Sequence, residues 1–569
     1  MMSVRYVSGH SVIVVLCAVI LCGALVVAID EQSLTGDGAY HLLAGLQALE
    51  TGSNTVNLEH PPLAKVIMAT PVLGLADRSP VHFRGDTMQD AIGRLHDEPD
   101  VMRAATRRAR WAMVVVFVIP LLVTCWWLGR LFDADGVVLA LLFLGTFSVL
   151  PNLVILQTDA AVTLGFVLVV TVAIVWLRRP SFVLAALLGA AFGLAMAVKY
   201  SGLLLASTIF LALVLARLSW RRRLLHAGVI GGCTLMVLMA SYGVANHRYD
   251  RDAGRDSLRL YTESRSTLVV GEEMRPWSDE LLAVESWSPA LAQYLTGLIG
   301  IRIQNDVGIY PSYAFGEISF DGRWWYFPAL FVVKTPLVML VALLVVAIGS
   351  RRVIVETRPD RHVREWLLVG VTVAIYGVMA LLSSYNLGIR HLMPIVPFLY
   401  LPIVVALRER RRTATVVIVL LTLEAVALAP LWMSATNTWW LGNANPTRLS
   451  FSLGNLAYKQ NFIQLDHVAT ERDIENLAVI YPLLDRRVLG AYLPEATLIT
   501  PRDPLPAGWY AVSVLMEQYL PALARQDEAL PLDRWGDDWQ PHWEVLSTDA
   551  EDHGLVAGSF RLLYLPDQR

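Results

Sequence analysis

Apolar residues run along this chain in long blocks rather than alternating with polar ones. Eleven blocks stand out, at residues 11–29, 111–128, 137–153, 160–177, 182–198, 202–215, 228–244, 326–348, 366–382, 392–407 and 416–432. Most come close to the roughly 20 residues that a helix needs to cross the hydrocarbon core of a bilayer. The pair 182–198 and 202–215 is short and reads as a tight helical pair. Two long polar stretches interrupt the blocks, a first loop over 30–110 and a second over 246–325. After the last block hydropathy falls, proline recurs, and runs such as LAVIYPLL and GWYAVSVL predict a small mixed α/β domain. The expected fold is a polytopic α-helical membrane protein of about 11 transmembrane helices over residues 1–433, with a soluble C-terminal α/β domain over 434–569.

Composition agrees with that reading. At 569 residues, 55% hydrophobic and with a mean hydropathy of +0.51, the chain is more apolar than an ordinary soluble domain. A net charge of −3 offers no basic surface, and no nucleic-acid partner is expected. Cys17, Cys22, Cys125 and Cys233 all fall inside apolar blocks, so none is placed to staple an outer loop.

Arginines give the orientation. Arg130, Arg178-Arg179, Arg217 with Arg221 to Arg223, Arg351-Arg352 through Arg364, and Arg408 through Arg412 occupy alternate short loops. By the positive-inside rule these are cytoplasmic, together with the N-terminus and its Arg5. The two long loops and the tail are then extracytoplasmic, in an inner or plasma membrane. The basic run Arg103 to Arg110 breaks the pattern.

Candidate chemistry gathers on that outer side. Asp37 lies between Gly36 and Gly38, just after the first block, and reads as a helix N-cap or as a general base. The segment from Ala39 reads as an amphipathic helix on the membrane surface. Glu59-His60-Pro61-Pro62-Leu63-Ala64-Lys65 follows; its two prolines force an extended approach and then seat a helix start. Asp159 opens the fourth block, as an N-cap or as a second carboxylate on the same face. Lysine is scarce: Lys65, Lys199, Lys334 and Lys459 are the only four. Lys334 falls about two turns inside its block, where an ionised group is costly unless paired. Arg390-His391 opens the tenth block. Carboxylates and cations on one membrane face suit sugar transfer from a lipid phosphate. The leaving phosphate is already an anion, so cations replace a general acid, while the acceptor hydroxyl needs a base.

The stretches LTGDGAYHLLAGLQALETG, EHPPLAKVIMATP, QTDAAVT, GLAMAVKYSG, FGEISFDGRWWYFPALFVVKTP and YNLGIRHLMPIVPFLYLP resemble those of C-fold (GT-C) membrane glycosyltransferases. That group contains the protein O-mannosyltransferases and the aminoarabinose transferases that modify lipid A; the resemblance is to the bacterial phospholipid carrier-dependent enzymes of family 39 type. It implies a polyprenyl-phosphate sugar as donor, usually inversion, and an acceptor that is a protein, a lipid or an envelope glycan. It implies that Asp37 is the base, that Asp159 is the second-loop acid, and that Lys334 and Arg390 meet the donor phosphate; the reading of the residues adds Glu59 to the catalytic set and His60, Lys65, Lys199 and His391 to the donor-phosphate set. A divalent metal, held by Asp37 and Asp159, is left open. The chain departs from the pattern twice: Gly38 stands where the family usually has Glu, and Leu156-Gln157 where many relatives carry a His. A lipid or solute transporter and a non-catalytic paralogue are the alternative readings.

Overall fold

The structure is a computed structural model that describes residues 9–76, 88–263, 271–308, 311–356, 362–437, 451, 455, 458–482, 484–525 and 533–567. Arg5, used for orientation, lies outside them.

The chain is mainly helical. Among the described residues six helices are long and apolar enough to cross a membrane: Ser11–Glu31, Pro99–Leu131, Asp159–Arg178, Trp220–Ala245, Val363–Leu382 and Ile389–Leu407. A bent pair, Tyr326–Lys334 and Leu337–Gly349, makes a seventh if counted as one span. On helix length and composition this is a multi-pass membrane protein. Apolar side chains such as Val15, Val19, Met236 and Ile348 stand exposed on these helices, as lipid-facing residues do.

The other expected spans take different forms. Phe182–Val198 is a 17-residue helix, and 200–215 is a 3₁₀ turn running into Ala206–Leu215. The third block holds only a nine-residue helix, Gly136–Leu144, before turns and a 3₁₀ segment. The last block lies in Arg411–Ala427. The second block belongs to a longer rod, because the amphipathic stretch 99–113 continues into it without a break. A π-turn at Val114–Val118 precedes Pro120, whose ring cannot donate to the helical ladder.

Small residues draw some helices close together. Phe182–Val198 packs along Trp220–Ala245 where a Cβ on Gly189 would lie 2.3 Å from the Ile230 carbonyl oxygen, and one on Gly193 2.7 Å from that of Thr234. Thr234 Oγ1 donates to the Gly189 carbonyl at 3.0 Å across this seam.

The eighth block is broken by 116° at Thr335-Pro336. Proline ends the ladder there and would leave last-turn carbonyls unpaired in an apolar setting. Asn437 fills the gap: its side chain donates to the Val332 and Thr335 carbonyls and its backbone N–H to that of Val333.

The first loop folds into helices, including α2 (Gly36–Thr51) and α3 (Pro62–Ala69), after the first span α1 (Gly9–Glu31). In the second loop, β1 (Ser312–Ala314) and β2 (Glu317–Ser319) form a hairpin turning on Phe315 and Gly316, both at positive φ. The tail carries β3 (Ala478–Ile480), β4 (Thr497–Leu498), β5 (Gly508–Ser513), β6 (Glu551–Val556) and β7 (Phe560–Leu565). They form one mixed sheet in the order β4-β3-β5-β7-β6, parallel among β4, β3 and β5 and antiparallel beyond.

Alternation decides what each face of that sheet covers. Ile480, Tyr510, Val512, Leu563 and Leu565 point to the helices Val514–Leu523 and Asp533–Asp549. Val479, Ala511 and Leu562 join the core that runs into the membrane unit. The sheet region therefore sits directly on the first loop. Tyr492 Oη accepts from the Leu34 N–H at 2.8 Å, and the Gln460 carbonyl from the Ser33 N–H at 2.9 Å. The anomalous basic run belongs to this junction. Arg110 is buried and donates to the carbonyls of Ile29, Gln32 and Ser33 at 2.6, 2.7 and 3.1 Å, completing the end of α1.

Candidate active site

The helix ends sort chemistry into two groups. At one end Arg178 pairs with Glu365 at 2.9 Å, and His362 lies 3.1 Å from Asp133. The ends opposite carry Asp159, Lys199 and Arg390, and the first loop brings Asp37 to them.

Asp37 lies in the first turn of α2, where a carboxylate is favoured by the helix dipole. It is not the cap: Thr35 is, accepting from the Gly38 N–H at 3.2 Å. The Asp37 carboxylate is therefore available for other partners. Arg390 Nη2 donates to Asp37 Oδ2 at 3.3 Å, and Arg390 Nε lies 3.8 Å from Asp159 Oδ2. Lys199 Nζ donates to Asp159 Oδ1 at 2.6 Å. This last pair follows from the hairpin of Asp159–Arg178 and Phe182–Val198: the second helix returns its C-terminal residue to the start of the first.

Access separates the two carboxylates. Asp159 has 4% of its side chain exposed and Asp37 49%. Asp37 is open along one flank yet ringed by protein. Crowding pushes its carboxyl above the ordinary range, Arg390 pulls it back, and Asp159 adds to the push. The Arg390 guanidinium lies 4.7 Å over the Tyr458 ring, and its Nη1 is buried with no hydrogen-bond partner among the described residues.

Glu59, His60 and Lys65 form a neighbouring group. The α2–α3 contact brings them in: a Cβ on Gly45 would lie 2.1 Å from the Lys65 carbonyl oxygen, so the helices meet there only over glycine. Glu59 accepts from Gln304 Nε2 at 2.9 Å, and burial pushes its carboxyl up to about 6. His60 meets His41 edge to face with ring centres 4.9 Å apart. Burial drives both imidazoles down, His41 to about 3, so both are neutral at pH 7. Lys65, 1% exposed, donates to the Asn57 carbonyl at 2.6 Å and is lowered to about 7 by burial. His391 lies beside Arg390 in sequence, its Nε2 buried without a partner among the described residues.

Lys334 does not join either group. Its Nζ donates to the carbonyls of Met433, Ala435 and Asn455 at 2.8, 2.8 and 2.7 Å. All three ammonium donors are thus spent on backbone, and the expected phosphate contact is replaced by a clamp on the chain that follows the last helix. His60, as a neutral imidazole, offers a hydrogen bond rather than a positive charge.

Arg390 and Lys199 hold the carboxylates of Asp37 and Asp159, and no group of three His, Cys, Asp or Glu side chains suited to a metal gathers among the described residues.

Sequence reasoning passed over several neighbours. Tyr458 lies under Arg390, and its hydroxyl accepts from Gln157 Nε2 at 2.9 Å. Lys459, in the left-handed region at φ 63°, acts electrostatically on Asp37. Tyr40 is raised by burial and by both Glu59 and Asp37. Lysine scarcity was a signal for Lys459; nothing local marks Tyr458.

No protein family profile matches the chain, and no curated protein does. Two solved structures are similar along its length. ArnT from Cupriavidus metallidurans in the apo state is 13% identical, covers 99% of this chain and 100% of its own, with a TM-score of 0.31. The same protein bound to undecaprenyl phosphate is 14% identical, covers 98% and 99%, and again has a TM-score of 0.31.

Proposed function

We propose that the chain is a GT-C type membrane glycosyltransferase that moves a sugar from a polyprenyl-phosphate donor to an acceptor hydroxyl, with inversion, on the extracytoplasmic face. The observation that carries this reading is Arg390. A buried guanidinium set between a half-exposed and a buried carboxylate, with one N–H edge left over, suits an incoming phosphate. In the proposed step the acceptor oxygen bonds to the anomeric carbon as the carbon–oxygen bond to phosphate breaks. The electron pair leaves with the polyprenyl phosphate, and the acceptor proton passes to Asp37. Arg390 and Lys199 meet the growing charge on the leaving phosphate, and His391 Nε2, which has no partner among the described residues, supplies a further hydrogen bond. Asp159 holds both cations in place. Glu59, whose carboxyl burial raises to about 6, is mainly ionised at pH 7 and accepts from Gln304, so it is suited to accepting a hydrogen bond from a sugar hydroxyl.

The test is release of polyprenyl phosphate by purified protein from a panel of polyprenyl-phosphate sugars, with and without candidate acceptors, wild type against Asp37→Asn. Release that depends on Asp37 supports the reading. Solute or lipid flux across vesicles without donor turnover would replace it with the transporter.

A further inference from the structure

Arg390 is held in an unfavoured arrangement. Guanidinium and carboxylate prefer a two-pronged pair with contacts of about 2.7–2.9 Å. Arg390 instead reaches two different carboxylates at 3.3 and 3.8 Å and leaves Nη1 without a partner among the described residues. Left to itself, the side chain would turn to close a two-pronged pair with one of them and bury its charge there. Something must hold the plane of the guanidinium.

The ring of Tyr458 is in place to do so. It lies 4.7 Å from the guanidinium carbon, a distance at which a cation is attracted to an aromatic face. The ring is itself fixed at both ends. Its hydroxyl accepts from Gln157, two residues before Asp159. Its backbone N–H donates to Gln460 Oε1 at 2.6 Å, and the Gln460 carbonyl is tied to Ser33 at the end of the first span. The backbone of Arg390 is held from the same segment: Asn455 Oδ1 accepts from the Ile389 N–H at 2.8 Å, while the Asn455 carbonyl is one of the three that Lys334 clamps.

We infer that Tyr458 is a positioning residue that holds Arg390 open for the phosphate of a lipid-linked donor, so that donor affinity depends on the segment after the last helix. This rests on the function proposed above. Tyr458 need not touch substrate; it acts by keeping the guanidinium from collapsing onto a carboxylate.

The test uses full-length protein in detergent, with initial rates measured against donor concentration and undecaprenyl phosphate binding as a separate readout. Tyr458→Phe keeps the ring and loses the hydroxyl; donor KM within about threefold of wild type is expected. Tyr458→Leu loses the face; donor KM and undecaprenyl phosphate Kd are expected to rise about tenfold, with acceptor KM unchanged. Gln157→Met removes the same hydrogen bond as Tyr458→Phe and is expected to match it; Tyr458→Met, which also loses the face, serves if Tyr458→Leu does not fold. Wild-type turnover with donor KM unchanged in Tyr458→Leu, or in Tyr458→Met where Tyr458→Leu does not fold, overturns the inference and leaves the proposed function standing. A drop in kcat alone, with KM and Kd unmoved, assigns Tyr458 a purely structural role and also overturns it. Absence of turnover and of undecaprenyl phosphate binding in the wild type removes the proposed function and this inference together.

Discussion

Arg390 and Asp37, 353 residues apart in the chain, meet through Nη2 and Oδ2 at 3.3 Å. The first is buried and the second half exposed, so the carboxylate can reach an acceptor while the cation stays dry. Replacing Asp37 by Asn keeps the shape and removes the base. Transfer is expected to fall by about 10²–10⁴-fold, with thermal stability and donor binding near wild type. Asn activity equal to wild type at saturating substrates would remove the base assignment.

Asp159 and Lys199 behave differently, because both are largely buried and 2.6 Å apart. Removing one partner leaves an uncompensated charge, a loss of about 3–5 kcal/mol in comparable pairs. Lys199→Met and Asp159→Asn are each expected to lower the unfolding temperature in detergent. The double variant should recover part of the loss. A double variant whose loss equals the sum of the two singles would show that the pair contributes nothing.

Lys334 is expected to report on folding rather than on phosphate. Lys334→Met orphans three carbonyls, each costing about 1–3 kcal/mol when buried and unpaired. Lower thermal stability and faster proteolysis after the last helix should follow. A variant of wild-type stability that had lost donor binding would return Lys334 to direct contact with the donor.

Glu59 supplies a pH signature. Its carboxyl rises from 4.5 to about 6 in the folded protein, so the folded state binds the proton more tightly than the unfolded chain does. That contribution to stability is fully present below about 4.5 and is lost as pH rises through 6. Glu59→Gln, which stays neutral, should gain on wild type by roughly 1–2 kcal/mol between pH 4.5 and pH 7.5. The comparison is made by thermal unfolding of both proteins at the two pH values. A difference that does not change with pH would mean that Glu59 is ionised as readily in the folded chain as in water.

Much of the membrane unit was legible because lipid leaves a strong mark on sequence. All eleven apolar blocks lie wholly or partly in helices, and 182–198 coincides with one end to end. Asp37, Asp159, Lys199 and Arg390 were legible too, as charges at the ends of apolar blocks. Hydropathy could not show how a block is used. It carries no record that Pro336 turns one block through 116°, or that 137–153 holds a helix of nine residues. The partners of Lys334 went unread for a related reason: a buried cation needs negative partners, and backbone carbonyls leave no trace in a list of side chains. Gly38 became clear only in place. A Cβ there would lie 2.9 Å from Thr35 Oγ1 and 3.5 Å from Leu156, so this position faces packed side chains. Tyr458 was invisible because its meaning lies in a guanidinium 68 positions earlier.

The clamp on the chain after the last helix bears on how the protein is made. Asp37 leaves the ribosome soon after the first span, Arg390 much later, and Tyr458 later still. A nascent chain released after residue 433 would have every long apolar helix found among the described residues, but a site without the ring under Arg390. The lipid-facing part can insert stepwise during synthesis, while Arg390 waits for the final stretch to fold back onto it. Intermediates of biogenesis would then carry Arg390 without its aromatic partner, and the arrangement of its guanidinium would be completed only with the end of the chain.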